Sequence, residues 1–297
     1  MSIIITGASG FVGQNLVPSL RSCGDVVIPL SLRENSPLVQ FHERDAIIHL
    51  AGKAHDTANT SHAQEYFAVN TELTKQLFER FLASPARDFI YFSSVKAVAD
   101  AVDGVLDENM MPSPQTPYGQ SKLKAEEYLL SRTLPPGKRI VILRPCMIHG
   151  PGNKGNLNLL YQFVHYGIPY PLGAFDNFRS FTSIENLCFV VGRILNTDIP
   201  SGVYNVADDK PLSTKRVIKI IADEIGKRAR TWNISRTLIS RIASLGDIFH
   251  LPLNSERMRK LTDTYVVSNQ KLITALKIHL PVDSEMGMKK TIRSFIS

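Results

Sequence analysis

Short, unbroken apolar runs recur along this chain, most of them followed by a stretch with helical spacing. Ile3-Ile4-Ile5 opens the series, and residues 25–30, 46–50, 89–92 and 139–145 continue it. Runs this short, rich in β-branched residues and lacking polar alternation, suit parallel strands buried on both faces. After the first run, Val12, Leu16 and Leu20 mark one face of a helix ending near Gly24, with Pro18 an awkward interior residue. Residues 63–80, 118–131, 156–166 and 214–225 read as further helices, the last capped by Leu212-Ser213-Thr214, and 203–206 as a final short strand. Residues 99–116 form an Asp- and Pro-rich loop. The interval between Leu30 and Ala46 barely admits a helix and a strand. Strands alternating with helices predict an α/β fold with a parallel sheet.

Composition narrows the picture. A chain of 297 residues can bury one large α/β domain, or one domain and a smaller lobe. Its net charge of +7 fits a phosphate-bearing ligand, and fits nucleic acid or an anionic membrane as well. No Lys/Arg run reads as a nucleic-acid arm and no aromatic RNA-binding signature is present, so nucleic acid is not an expected partner. Cys23, Cys146 and Cys188 contain no Cys-x-x-Cys pair. Reduced thiols and a cytoplasmic location are expected, without a metal centre or disulfide framework. Ser2 runs into Ile3 and the glycines with no signal-peptide pattern, and no apolar stretch is long enough for membrane insertion.

Candidate chemistry clusters where the predicted strands end. The first leads into Thr6-Gly7-Ala8-Ser9-Gly10-Phe11-Val12-Gly13 and then a helix, the context of a dinucleotide fingerprint. Glycines there permit a tight turn and close approach to a pyrophosphate, which the helix N-terminus then faces. NAD sites usually end the second strand in an acid that binds the ribose 2′-hydroxyl. Here Leu30, Ser31, Leu32 and Arg33 stand instead, and Arg33 can pair with a 2′-phosphate, which favours NADP(H) over NAD(H). Leu50, Ala51 and Gly52 end the third run with small residues where the cofactor would pass; His55 in the following loop reads as solvated. Ser93-Ser94 end the next strand, ready to hydrogen-bond a substrate carbonyl or make turn bonds. Pro117 starts a helix on which Tyr118 and Lys122 stand i and i+4, on one face. A lysine cation beside the phenol favours phenolate, which makes Tyr118 a usable acid/base. Read blandly, the pair is only an i,i+4 neighbour pair on a surface helix.

Together these motifs resemble the extended short-chain dehydrogenase/reductase family. The matching residues are Thr-Gly-x-x-Gly-Phe-x-Gly at 6–13, Ile-His-Leu-Ala-Gly at 48–52, Ser-Ser at 93–94, Tyr-Gly-x-Ser-Lys at 118–122 and Arg-Pro…Gly-Pro-Gly at 144–152. Within it the chain is most similar to nucleotide-sugar enzymes of the UDP-glucose 4-epimerase branch that serve bacterial surface polysaccharides. The resemblance implies a Rossmann-like, doubly wound parallel sheet with a smaller C-terminal substrate-binding lobe. Residues 1–151 and about 177–207 would hold the dinucleotide, and 152–176 and 208–297 the UDP-sugar. Tyr118 would act on the sugar 4-oxygen, Lys122 would bind the nicotinamide ribose, and Ser94, with Ser93 adjacent and Lys96 nearby, would meet the substrate. Gly7, Gly10 and Gly13, with Phe11 and Val12, would hold the pyrophosphate, and Asn70 and Pro145 would line the nicotinamide end. Asn156, Arg179 and Lys260 would contact the UDP moiety. A homodimer through the helices at 63–82 and 118–131 is implied too.

The family contains several activities. Dehydratase relatives carry Asp-Glu after the catalytic hydroxyl residue; Val95 and Lys96 occupy those positions here, so dehydration is set aside. Val95 also replaces the cysteine of GDP-fucose-type epimerase-reductases. Reduction of a UDP-4-keto-6-deoxy-N-acetylhexosamine by NADPH and 4-epimerisation of UDP-GlcNAc or UDP-Glc by retained NAD both stand, with Ser31, Arg33 and the short 30–46 interval favouring reduction. A non-catalytic NADP-sensing regulator is the reading from another class. His149, where the family commonly has tyrosine, is expected to alter substrate fit.

Overall fold

A computed structural model describes residues 1–32, 46–53, 62–153, 156–249, 258 and 262–296. Six strands form one sheet: β1 (Ser2–Thr6), β2 (Val26–Leu30), β3 (Ala46–His49), β4 (Asp88–Phe92), β6 (Arg139–Pro145) and β10 (Gly202–Val206). Every pairing is parallel, in the order β10-β6-β4-β3-β1-β2. The order reverses beside β1, between its neighbours β2 and β3. That reversal opens a crevice outside the carboxyl ends of the strands, where ligands bind in open α/β sheets.

The apolar runs serve two cores at once. Ile3, Ile5, Ile48, Ile90 and Val141 face one side, against Leu16 and Leu20 of α1 (Phe11–Ser22) and Leu187, Val191 and Ile194 of α6 (Ile184–Leu195). Their neighbours Ile4, Ile47, Phe89, Tyr91 and Ile142 face the other, against Leu77 and Phe81 of α3 (Leu73–Ala83) and Ala125 and Leu129 of α4 (Pro117–Ser131). Successive strand residues point to opposite faces, so unbroken hydrophobicity is what burial on both sides requires. Pro18 lies within α1 without interrupting it.

The helix expected over 63–80 takes a different form. It begins as α2 (Ala63–Tyr66), widens into a π-helical turn over Phe67–Glu72, and resumes as α3. Such one-turn bulges insert a residue into the ladder and gather at functional sites.

A further apolar cluster joins α5 (Asn156–His165), α7 (Thr214–Glu224) and α10 (Ser284–Ile296), around Leu157, Val217, Ile221, Met288 and Ile292. Helix α8 (Arg236–Phe249) adds Ile239 to this cluster. Short ribbons tie this lobe to the sheet: β7 (Met147–His149) with β9 (Phe181–Ser183), β8 (Phe178–Arg179) with β11 (Leu212–Ser213), and β5 (Val105–Leu106) with β12 (Val266–Val267). Helix α9 (Gln270–Leu276) packs Leu272 and Leu276 into the sheet core beside Tyr204 and Val206.

Arg139 locks the amino-terminal edge of the sheet. Its guanidinium grips buried Asp88 at 2.8 Å through both Nε and Nη2, and donates to the carbonyls of Thr197 (2.6 Å) and Ile194 (3.0 Å). Arg139→Ala would leave the Asp88 carboxylate buried with only the half-exposed Arg87 beside it. The expected loss is about 3 kcal/mol, read as a lower urea midpoint at unchanged m-value.

Candidate active site

The glycine turn after β1 is shaped by contact rather than by sequence convention. Gly7 has φ +72°, and a Cβ there would lie 2.6 Å from the Ala51 nitrogen. The first and third strand exits therefore touch backbone to backbone. A Cβ on Gly13 would lie 2.5 Å from the Gly7 carbonyl, so the first turn of α1 is pressed onto the same loop. Gly10 caps α1, and Phe11, Val12 and Gly13 present the helix N-terminus, with no acid in the first turn to oppose an anion. A cradle that one added carbon would fill, at a helix N-terminus, fits a pyrophosphate. Ser31 is exposed just past β2, and Pro145 is buried at the end of β6.

On the far side of the crevice, Gly52 gives room to two polar groups. Its Cβ would stand 2.9 Å from Asn70 Oδ1 and 3.2 Å from Lys122 Nζ. Asn70, fully buried in the π-helical turn, accepts from the Lys53 N–H (2.7 Å) and donates to the Lys53 carbonyl (3.1 Å) and Ser121 Oγ (3.0 Å). Lys122 Nζ donates to the Phe92 carbonyl at 2.8 Å. The π-turn, the third strand's exit and α4 are thus held together where the resemblance would put the nicotinamide.

His49 ties this end to the glycine turn. Burial and the Lys122 charge lower its pKa to about 3, so the imidazole is neutral. The Thr74 hydroxyl donates to the Asn70 carbonyl (2.8 Å), so its oxygen accepts from His49 Nε2–H (2.8 Å). Nδ1 then accepts from the Thr6 hydroxyl (2.6 Å), whose oxygen takes the Ala51 N–H (3.2 Å). One ordered chain of donors runs from Ala51 to Asn70.

Tyr118 and Ser94 meet in the same crevice. Thr116 caps α4 by accepting from the Gly119 N–H (3.3 Å), and Asp100 holds the entry by accepting from the Gln115 (2.8 Å) and Thr116 (3.1 Å) amides. A Cβ on Gly119 would lie 2.3 Å from the Lys96 carbonyl, so α4 sits directly on the Ser93–Ala97 segment. That contact brings the Tyr118 side chain into hydrogen bonding with Ser94. The Tyr66 ring meets the Tyr118 ring edge-on at 6.1 Å.

The electrostatics differ from the sequence expectation. Although part of Tyr118 is exposed, desolvation at its hydroxyl raises the pKa above its ordinary value, and the Ser94 bond offsets this only in part. Burial lowers Lys122 to about 8, with the Glu126 carboxylate pulling the other way. Tyr118 therefore keeps its proton: desolvation dominates its shift and the neighbouring Tyr66 adds to it.

Two substrate expectations are redirected. Ser93 Oγ donates to the buried Glu126 carboxylate, which Arg144 also grips at 3.0 and 3.1 Å through Nε. Ser93 therefore faces the interior beneath the site. Lys96 Nζ donates to the Asp100 carbonyl (2.8 Å) and lies 4.4 Å from the Tyr265 ring centroid. Arg179, on β8, is partly buried; burial lowers its pKa while Asp263 acts against this. Its backbone bridges Tyr265, whose hydroxyl donates to the Ala99 carbonyl (2.8 Å). His149 is buried, bonded to Thr291 Oγ1 at 2.8 Å, and thus belongs to the joint between the lobes. Arg33, His55 and Lys260 lie outside the described residues, as does the side chain of Asn156, whose backbone opens α5.

Sequence reasoning missed Glu126, Gly119, Tyr66 and Tyr265. Glu126 had a signal, since it continues the Tyr118–Lys122 face at the next i+4 step; the two tyrosines had none.

Gly119→Ala tests the docking of α4. With backbone on the opposing side, the methyl group must displace the helix. The expected outcome is a turnover number lowered on the order of 100-fold in a protein that still unfolds cooperatively, measured by steady-state kinetics and urea denaturation.

Comparison with known proteins bears on the family and the fold. The model of the NAD dependent epimerase/dehydratase family matches residues 3–207. A UDP-glucose 4-epimerase of Vibrio cholerae is 28% identical over 99% of this chain and 95% of its own length. A GDP-6-deoxy-D-mannose reductase of Pseudomonas aeruginosa is 26% identical over 74% of this chain and 79% of its own. The crystal structure of a Thermus thermophilus UDP-glucose 4-epimerase with NAD superposes with a TM-score of 0.75 at 21% identity, covering 100% of this chain and 99% of that one. The parallel sheet, its glycine cradle and the family match over residues 3–207 lead to one conclusion: the chain belongs to the NAD-dependent epimerase/dehydratase family.

Proposed function

We propose that this protein is an NAD(P)-dependent nucleotide-sugar oxidoreductase or epimerase acting at carbon 4 of a UDP-linked N-acetylhexosamine. NADPH-dependent reduction of a UDP-4-keto-6-deoxy-N-acetylhexosamine is placed ahead of 4-epimerisation of UDP-GlcNAc or UDP-Glc. The observation that carries the reading is the Tyr118–Ser94 hydrogen bond in a crevice that Lys122 and Asn70 close from the other side. A named epimerase and a named reductase among the relatives support both activities.

A bound nicotinamide supplies or accepts the hydride at the sugar carbon. Gly7, Gly10 and Gly13 would hold its pyrophosphate, with Lys122 and Asn70 at the ribose end. The chain's own task is the proton. Tyr118, kept protonated by burial, donates to the 4-carbonyl oxygen as that carbon is reduced, and Ser94 hydrogen-bonds the same oxygen. In the oxidative direction the tyrosinate takes the proton back. The lean to reduction rests on Ser31, Arg33 and the short interval between Leu30 and Ala46, which suit an exchangeable NADPH. Arg179, on β8, is proposed to meet the diphosphate. A second copy of the chain is proposed to pack along α3 and α4.

Tyr118→Phe is expected to lower turnover between about 100- and 10,000-fold while nucleotide binding persists. The assay is NADPH oxidation with the 4-keto sugar nucleotide. Interconversion of UDP-GlcNAc and UDP-GalNAc without added cofactor, and no NADPH oxidation, would reverse the order of the two activities. Unchanged turnover in the variant would remove the mechanism and leave the regulator reading.

The pH dependence follows from Lys122. Below about 8 it is a cation and holds the cofactor's ribose end; above, it is neutral. For the free enzyme, kcat/KM for the cofactor should therefore fall as pH rises through about 8. The Tyr118 proton is lost only above its ordinary range. A profile flat until pH 10 would contradict this assignment.

A further inference from the structure

The second lobe carries an outer surface for which the proposed reaction has no use. Between residues 156 and 175 the sequence has no acidic residue, while residues 227–241 hold five basic residues and no acidic one. The fold sets these stretches side by side. The Tyr170 N–H donates to the Arg230 carbonyl (2.9 Å), the Trp232 N–H donates to the Tyr170 carbonyl (2.8 Å), and Lys227 Nζ donates to the carbonyl of His165. Tyr170 and Leu172 turn inward to the lobe's core. Their neighbours turn outward: Tyr166 is 74% exposed, Trp232 is 57% exposed, and Phe163 and Ile168 are exposed too. Arg228 and Arg230 flank them, both exposed and without an ion-pair partner among the described residues.

We infer that this face docks on an anionic phospholipid surface. Exposed aromatic and aliphatic side chains bordered by Lys and Arg are what an interfacial protein presents to headgroups and acyl chains. Each cation near an anionic leaflet adds to the attraction, and the apolar side chains gain by leaving water. Charge decides between occupants. A second copy would bring basic residues against basic residues, whereas acidic headgroups complement them. Among the described residues no helix is long and apolar enough to cross a membrane, so the association is peripheral. The inference is independent of the reaction assigned to the crevice.

Trp232 is the chain's single tryptophan, so the wild-type protein carries its own probe on this face. The test titrates the full chain with vesicles of equimolar phosphatidylcholine and phosphatidylglycerol, reading tryptophan emission and co-sedimentation. The expected result is a blue shift with sedimentation, reversed by high salt and not seen with phosphatidylcholine alone. Arg228→Gln combined with Arg230→Gln should weaken vesicle binding about tenfold or more and leave turnover on a soluble substrate unchanged. No shift and no sedimentation with the mixed vesicles would overturn the inference. So would equal binding to the neutral vesicles, an emission shift that follows protein concentration without lipid, or tighter binding to a single-stranded oligonucleotide.

Discussion

The candidate site depends on one buried carboxylate. Glu126 lies one helical turn beyond Lys122 and is almost wholly removed from solvent. Alone, an ionised carboxylate there would be costly. It is held by Arg144 from β6 and by Ser93 at the end of β4, so three elements converge on its two oxygens. The same charge acts on Lys122, opposing the desolvation that lowers that ammonium. Remove it and Arg144 is stranded, the Ser93 hydroxyl loses its acceptor, and Lys122 moves further towards neutrality. This pairing fixes α4 to the ends of β4 and β6, one turn from Lys122 and two from Tyr118.

Much of the scaffold was legible because the physics behind it is local. An unbroken apolar run can be buried on both faces only inside a sheet covered twice, so Ile3-Ile4-Ile5 announced its neighbours. Gly7 and Gly13 followed a strand and opened a helix, and the close contacts at both explain why no larger residue serves. What could not be read depends on distant partners. The π-helical turn leaves no trace in the spacing of residues 63–80; it exists because Asn70 is bound to Lys53 and Ser121, in other elements. Ser93 and Ser94 are alike in sequence. Successive residues at a strand's end point opposite ways, and only the Glu126–Arg144 pair shows that Ser93 is the inward one.

The protonation of Tyr118 teaches the same lesson about energies. An i,i+4 lysine is visible in the sequence and suggests a phenolate. Depth is not visible, and depth decides: desolvation dominates the shifts of both Tyr118 and Lys122, each towards its neutral form. A pair that sequence spacing presents as an ion-pair device is a protonated phenol beside an ammonium whose pKa burial has lowered to about 8.

Tyr265 shows how the two lobes communicate at this site. Its backbone bridges Arg179, its hydroxyl reaches the carbonyls of Ala99 and Val95, and its ring lies beside the Lys96 ammonium. One residue thus links the segment carrying the proposed diphosphate ligand to the segment carrying Ser94. Movement of β8 relative to the sheet would pull on the segment that follows Ser94 through the single Tyr265 hydroxyl, which lies 2.8 Å from the Ala99 carbonyl and 3.2 Å from that of Val95. Because Gly119 packs directly on the Lys96 carbonyl, that pull would pass to the N-terminus of α4. Arg179 and the entry of α4 are therefore joined through a continuous run of contacts that passes through Tyr265 and the Ser93–Ala97 segment.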